Sequence, residues 1–184
     1  VSREATAAAD DLRRLIRDVP DFPRPGIVFK DIAPLLADPG ALRSTVARLA
    51  DYAEPLRVDT VLAAEARGYP LGGALALQLG AGFAFARKPG KLPYETVGVE
   101  YLLEYGPDRL ELHTDALAPG ARVLIHDDLL ATGGTARALC ALVEKLGATV
   151  VGCAFLIELA FLDGRAALAP YDVHALLRYE DSGG

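Results

Sequence analysis

Two cysteines in 184 residues are too few for a disulfide framework. Cys140 falls on an expected helix and Cys153 on an expected strand, so each reads as a small buried hydrophobe in a reducing, cytoplasmic setting. No apolar run is long enough to cross a bilayer. Basic residues are in deficit: 19 Lys and Arg against 25 Asp and Glu leave a net charge of −6, which argues against a nucleic-acid surface covering the domain. Val1 to Asp18 lacks the basic-then-apolar layout of a secretory signal, and an initiating Met is missing, as expected of a trimmed N-terminus. Internal repeats and low-complexity tracts are absent as well. With 52% hydrophobic and 24% charged residues, the chain is expected to fold as one domain, residues 1–184, around a sizeable core.

What is present is concentrated in Val123-Leu124-Ile125-His126-Asp127-Asp128-Leu129-Leu130-Ala131-Thr132-Gly133-Gly134-Thr135. An apolar run ends in two adjacent carboxylates, then a small-residue turn, then a helical pattern. That order predicts a strand, a loop and a helix N-terminus. A helix start offers unpaired N–H groups and a partial positive charge, which suit a phosphate. Gly133 and Gly134 let the backbone approach the anion, and Thr132 and Thr135 add hydroxyl donors beside Ala131. Asp127 and Asp128 accept hydrogen bonds when ionised, so they suit sugar hydroxyls or metal-bound water. A ligand with a phosphate beside a diol, such as ribose 5-phosphate, fits both halves. A Walker P-loop is excluded because no Gly-x-x-x-x-Gly-Lys-Ser/Thr occurs.

Elsewhere the pattern alternates between periods. Leu12, Leu15, Ile16 and Val19 predict an amphipathic first helix ended by Pro20. A stiff loop from Asp21 to Gly26 leads to Ile27-Val28-Phe29. Helices are expected over Ala41 to Glu54, Leu71 to Leu79 and Thr135 to Leu146, with a short one around Gly164 to Leu168. Strands are expected over Asp59 to Ala64, Phe83 to Ala86, Arg122 to His126, Val150 to Glu158 and Asp172 to Arg178. Residues 88–118 break the alternation. Thr96 to Tyr105 and Arg109 to His113 read as a hairpin turning at Gly106-Pro107-Asp108. The fold class is therefore α/β, with a largely parallel central sheet flanked by helices. In such sheets ligands sit beyond the carboxyl ends of the strands. The loops after Ala64, Ala86 and His126 start there and hold Arg67, then Arg87, Lys88 and Lys91, then the acids.

The acidic strand end and Thr-Gly-Gly-Thr turn resemble the 5-phosphoribosyl 1-pyrophosphate (PRPP) motif of the type I phosphoribosyltransferases. Asp21-Phe22-Pro23, the run Pro25 to Ile32, Arg67-Gly68, Arg87 to Pro93 and Leu103-Glu104-Tyr105-Gly106 are similar to the adenine-using branch of that family, in its order. The resemblance spans about residues 21–179. It implies a single-domain Rossmann-like fold, with a base-binding hood near residues 1–35 and a flexible hairpin lid near 91–115. It implies transfer of phosphoribosyl from PRPP to adenine, giving AMP and pyrophosphate, with Mg2+ held mainly by substrate and water. It assigns the phosphate to Ala131–Thr135, the ribose to Asp127 and Asp128, and pyrophosphate to Arg67, Arg87, Lys88 and Lys91. Adenine falls to Val28, Phe29, Lys30 and Leu129, proton handling to Glu104 and a lid contact to Tyr105. It also implies a non-proline cis peptide within residues 65–68 and a homodimer, with neither nucleic acid nor membrane as partner.

Several residues keep a second reading. Phe29 is a stacking face or core filler, and Lys88 a substrate contact or a solvated charge. Glu104 is the acid–base group or, like Glu100, a charge on a solvated hairpin face. His126 shares a strand face with Asp128 and is a core histidine or a modulator of that acid. Lys30 stands where many relatives carry Arg, and Ala66 where Ser is usual. Alternatives of other kinds are a PRPP-sensing regulator of the same fold and a transferase for xanthine, orotate or hypoxanthine/guanine. One expected helix before Asp21 is too short for a helix-turn-helix, which disfavours the regulator.

Overall fold

A computed structural model describes residues 11–103 and 106–181, the side chains of 102, 103, 106 and 107 excepted. Five strands form a parallel sheet: β3 (Thr60–Ala64), β4 (Gly82–Ala86), β7 (Arg122–Leu130), β8 (Thr149–Leu159) and β9 (Val173–Tyr179). Their order is β4-β3-β7-β8-β9, every neighbour parallel. Burial on both faces explains their near-continuous apolar runs. Val123 and Ile125 pack with Leu139, Cys140 and Val143 of helix α4 (Gly134–Lys145). Leu124, between them, turns the other way, to Leu49 of α2 (Pro39–Ala53) and Leu75 of α3 (Gly68–Leu79). Asp38 starts α2 by accepting from the Ala41 N–H at 2.7 Å, with Pro39 in the first turn. The short α1 (Ala33–Ala37) precedes it.

The crossovers decide where a ligand sits. The chain leaves β3 by α3 on one face and β7 by α4 on the other, so a crevice opens between the carboxyl ends of these neighbours.

Three local expectations are corrected. Helical backbone at 11–13 gives way to β1 (Arg17–Pro20), antiparallel to β2 (Val28–Asp31). The i,i+4 burial of Leu12 and Ile16 is real. The ladder to β2 claims the backbone beyond them, where Val19, preceding Pro20, is biased toward extended φ/ψ. In the hairpin β5 (Thr96–Leu103) and β6 (Gly106–His113), Leu103 pairs with Gly106. Gly106, Pro107 and Asp108 therefore lie in a strand and not in the turn. Finally, β7 runs past His126 because β8 accompanies it to Leu130↔Glu158, so Asp127 and Asp128 stand on a strand end.

Leu110 and Leu112 of β6 are buried in the core, and the Lys145 ammonium of α4 donates to the Gly98 carbonyl of β5 at 3.0 Å. The inner part of the expected lid is thus anchored to the domain. Among the described residues no helix is long and apolar enough to cross a membrane.

Candidate active site

A cleft opens at the carboxyl ends of β3 and β7, lined by Arg67, Asp127, Asp128, Leu129 and the turn 131–135. An adjoining depression shares Arg67, both acids and Thr135 and adds Glu65, Lys88, Tyr101 and Asp108.

The turn has the features an anion needs. Gly133 sits at φ +83°, and its carbonyl accepts from the Arg137 N–H at 2.8 Å, opening α4. No side chain caps that helix. Among the described residues, the N–H groups of Thr132, Gly133, Gly134 and Thr135 meet no protein acceptor. They remain for a ligand.

The acids beside the turn are held close together. Asp127 Oδ1 accepts from the Asp128 N–H at 2.9 Å, and a Cβ on Gly68 would stand 2.9 Å from the same oxygen. Only glycine lets α3 start this near the acid. Asp128 is buried, and its Oδ2 lies 3.3 Å from Arg67 Nε but lacks an aligned hydrogen-bond donor. Burial, then the charge of Asp128, pushes Asp127 well above the usual carboxylate range. Burial raises Asp128 too, although the Arg67 guanidinium pulls it back. Two carboxylates of this kind share a proton more readily than they both ionise.

A pH dependence follows. Ribose hydroxyls donate to ionised carboxylates, so binding a ribose ligand expels the shared proton. AMP affinity should rise with pH from the ordinary carboxylate range through the raised value and then level off. The ligand-free fold shows the opposite sign: a carboxyl raised on folding adds stability below its unfolded pKa and loses it as pH rises through the folded value. Titration calorimetry of the protein and of Asp127→Asn, with the variant's profile subtracted to remove the AMP phosphate's own titration, checks this. Identical profiles would show that the pair binds no exchangeable proton.

Hard carboxylate oxygens and the undonated Asp128 Oδ2 also fit water on a hydrated Mg2+. Among the described residues no group of three or more His, Cys, Asp or Glu could hold a metal directly.

Most of the basic residues already have acidic partners. The Arg67 guanidinium lies 4.6 Å over the Phe29 ring, which meets Phe22 edge-on at 5.1 Å, and thus bridges the β1–β2 hood to Asp128. Arg87 Nε donates to Glu65 Oε2 at 2.9 Å, and the Lys88 N–H to Glu65 Oε1 at 2.7 Å. Burial acts to raise Glu65, and these donors outweigh it, holding the carboxyl below its usual value. The Lys88 ammonium pairs with Asp108, which also accepts from the Tyr101 hydroxyl at 3.0 Å. Arg87 and the exposed Lys91 line neither part of the cleft. The Glu65–Ala66 peptide is cis, within the expected stretch.

In the hood, Phe29 faces Arg67, whereas Lys30, next along β2, turns away. Its buried ammonium donates to Asp18 at 2.7 Å and lies 4.4 Å over the Tyr179 ring. The Lys30 side chain thus forms a structural ion pair on the strand face opposite Phe29, as alternation along the strand dictates. Val28 ends the ladder opposite Pro20, which has no N–H to donate. Leu129 lines the cleft and packs against the cluster containing Leu35 and Leu71. His126 is fully buried, with Nδ1 2.9 Å from the Ala154 carbonyl, and burial lowers its pKa to about 4. It is a neutral core histidine. Glu104 and Tyr105 lie outside the described residues. Sequence reasoning missed Glu65, Asp108 and Tyr101, whose roles arise from partners far along the chain.

An anion turn after an acidic strand end, on this parallel sheet, defines a phosphoribosyltransferase. The family model for the phosphoribosyl transferase domain matches residues 42–174, and the chain belongs to that family. Within the family it belongs with the adenine phosphoribosyltransferases. It is 57% identical to the adenine phosphoribosyltransferase of Rubrobacter xylanophilus, over 92% of each chain. The crystal structure of adenine phosphoribosyltransferase from Thermoanaerobacter pseudethanolicus superposes with a TM-score of 0.91 at 50% identity, covering 93% of this chain and 99% of that one. The Saccharomyces cerevisiae enzyme, complexed with adenine and an imino-altritol bisphosphate, gives 0.89 at 37% identity, covering 94% and 99%.

Proposed function

We propose that this chain serves purine salvage by transferring the 5-phosphoribosyl group of PRPP to adenine, forming AMP and pyrophosphate. The observation that carries this is the placing, in one cleft, of undonated turn N–H groups beside two adjacent carboxylates, Asp128 buried and Asp127 half-buried. The turn takes the 5-phosphate and the acids the ribose hydroxyls. Adenine N9 attacks C1′ as the C1′–O bond to pyrophosphate breaks, with the electron pair leaving on pyrophosphate. Positive charge builds on the sugar and negative charge on the leaving group. Arg67 and Lys88, at the rim of both acids, stabilise the latter by exchanging Asp128 and Asp108 for pyrophosphate oxygens. Asp127 and Asp128 would hold the water of a hydrated Mg2+, which would supply further neutralisation of that charge.

Glu104 handles the proton on the N7 side of the base, and Tyr105 closes over it. Leu110 and Leu112, in the inner part of the lid hairpin, are built into the core. Val28 backbone groups read the 6-amino group and N1 of adenine, between Phe29 and Leu129. Hypoxanthine and guanine reverse that donor–acceptor order and would leave buried groups unpaired. Two unpaired buried cysteines suit a cytoplasmic protein. Initial rates with PRPP and magnesium, run in parallel on adenine, hypoxanthine, guanine, xanthine and orotate, test the proposal. Turnover of any other base in preference to adenine would refute it.

The working unit is a homodimer. Phe83 and Phe85 are exposed on edge strand β4 and cluster with Tyr69 at ring distances of 5.9–6.4 Å. An aromatic edge of this kind invites a second copy. Arg87 follows this strand and lines neither part of its own cleft, which suits a role at the neighbour's. Arg87→Ala should weaken PRPP use by ~1.5–3 kcal/mol, the loss of a charge-assisted bond. Sedimentation of a fully active monomer at assay concentration would defeat the shared site.

A further inference from the structure

The small residues of the phosphate turn face a second stretch of backbone. A Cβ on Gly133 would stand 2.6 Å from the Gly164 carbonyl oxygen and 2.9 Å from Ala167 Cβ. A Cβ on Gly164 would collide with the Ala131 carbonyl oxygen and stand 3.0 Å from the Leu130 side chain. The turn and α5 (Gly164–Ala167) therefore pack backbone against backbone. Only the Ala167 methyl and the Leu130 side chain border this contact, leaving little to absorb a shift, so a displacement of one is a displacement of the other.

A single helical turn does not hold itself in place, and α5 has no side-chain cap. Arg165 anchors it. Nε and Nη2 donate to Glu158 Oε1 and Oε2 at 2.7 and 2.8 Å, and Nη1 donates to the Val173 carbonyl at 2.6 Å. Glu158 is 3% exposed and stands on β8 directly opposite Leu130, the last residue of β7 before the turn. The guanidinium fork thus ties α5 to β8 and β9, and α5 in turn bears on residues 131–133. A part-buried ion pair adds little net stability compared with apolar packing, but its bidentate geometry sets a position closely.

We infer that Arg165 and Glu158 are positioning residues for the phosphate subsite. They touch no substrate. They set the aim of the turn's N–H groups through the contact of Gly164 with Ala131 and Gly133. The inference rests on the phosphate-turn reading above and adds to it the part that holds the turn still.

The test compares Arg165→Lys, which keeps the charge but loses the fork, with Glu158→Gln and Gly164→Ala. AMP and adenosine affinities are measured by calorimetry, KM for PRPP and for adenine by initial rates, and folding by thermal melting. Arg165→Lys and Gly164→Ala should each weaken AMP by ~10-fold, as expected for a slightly misplaced binding group, and leave adenosine within about twofold. KM for PRPP should rise in parallel while that for adenine holds. A lowered melting temperature with an unchanged AMP-to-adenosine ratio would make the clamp purely structural and overturn the inference, as would equal losses for both ligands. If Arg165→Lys fails to fold, the ratio in Glu158→Gln and Gly164→Ala decides. Wild-type protein binding AMP no more tightly than adenosine would instead refute the phosphate turn itself, a distinct result.

Discussion

Gly133→Ala is expected to reduce PRPP use by ~10²-fold or more, a loss typical of ligand groups displaced by about an ångström. Two effects combine at this position. The backbone holds φ +83°, a region where an L side chain is strained, and the added methyl would meet the Gly164 carbonyl at 2.6 Å. Relief requires the turn to retreat from α5, and the N–H groups that face the phosphate retreat with it. Gly120→Ala separates the two effects. Gly120 has φ +78° and nothing within 4 Å of its would-be Cβ, so that variant carries the backbone strain alone. It should lose ~1–2 kcal/mol of stability and keep the wild-type KM for PRPP. Initial rates over a PRPP series, with melting curves for both variants, decide the matter. A Gly133→Ala enzyme with unchanged KM would mean that the turn does not carry the phosphate.

The contrast between these glycines shows which parts of the site were legible from residue order. Gly133 and Gly134 stand between an acidic strand end and a helix start, so local order alone marked them as an anion turn. Gly164 gave no such signal, because its partner lies 33 positions away, at Ala131. The same division runs through the fold. Apolar runs alternating with helical patterns sufficed for a parallel sheet, and its five strands appear where those runs stand. What failed was local pattern against distant pairing. Leu12 to Val19 has helical spacing, yet the ladder to β2 makes Arg17 to Pro20 a strand. Gly106-Pro107 has turn chemistry, yet the register Leu103↔Gly106 places it in β6. Asp127 and Asp128 look like loop residues, yet β8 extends far enough to keep them in the sheet. Charges divide similarly: the basic residues stood out against an acidic chain, whereas Glu65 and Asp108 acquire meaning only through Arg87 and Lys88.

Glu104→Gln is expected to lower turnover of adenine by ~10²–10⁴-fold, the usual worth of a positioned acid or base, while leaving PRPP affinity nearly intact. The chemistry requires the purine to lose its N9 proton to solvent water as the bond to C1′ forms, and a protonated carboxyl donating to N7 makes that loss easier. Glutamine keeps the size and a hydrogen-bond donor but has no titrating proton. Glu104→Leu removes the donor as well and should be slower still. Glu100→Gln is the matched control: Glu100 is exposed on β5 opposite Arg109, on the same hairpin, and should turn over normally. The pH profile adds a readout that a positional defect would not move. If Glu104 titrates in the catalytic cycle, the limb of the kcat profile that it governs should vanish in the glutamine variant and remain in the Glu100 variant. Charge on the hairpin alone would affect both variants equally. Adenine turnover by Glu104→Gln at the wild-type rate would remove the carboxyl from the proton path. The rate would then rest on the orientation of PRPP by the turn and on stabilisation of the departing pyrophosphate by Arg67 and Lys88.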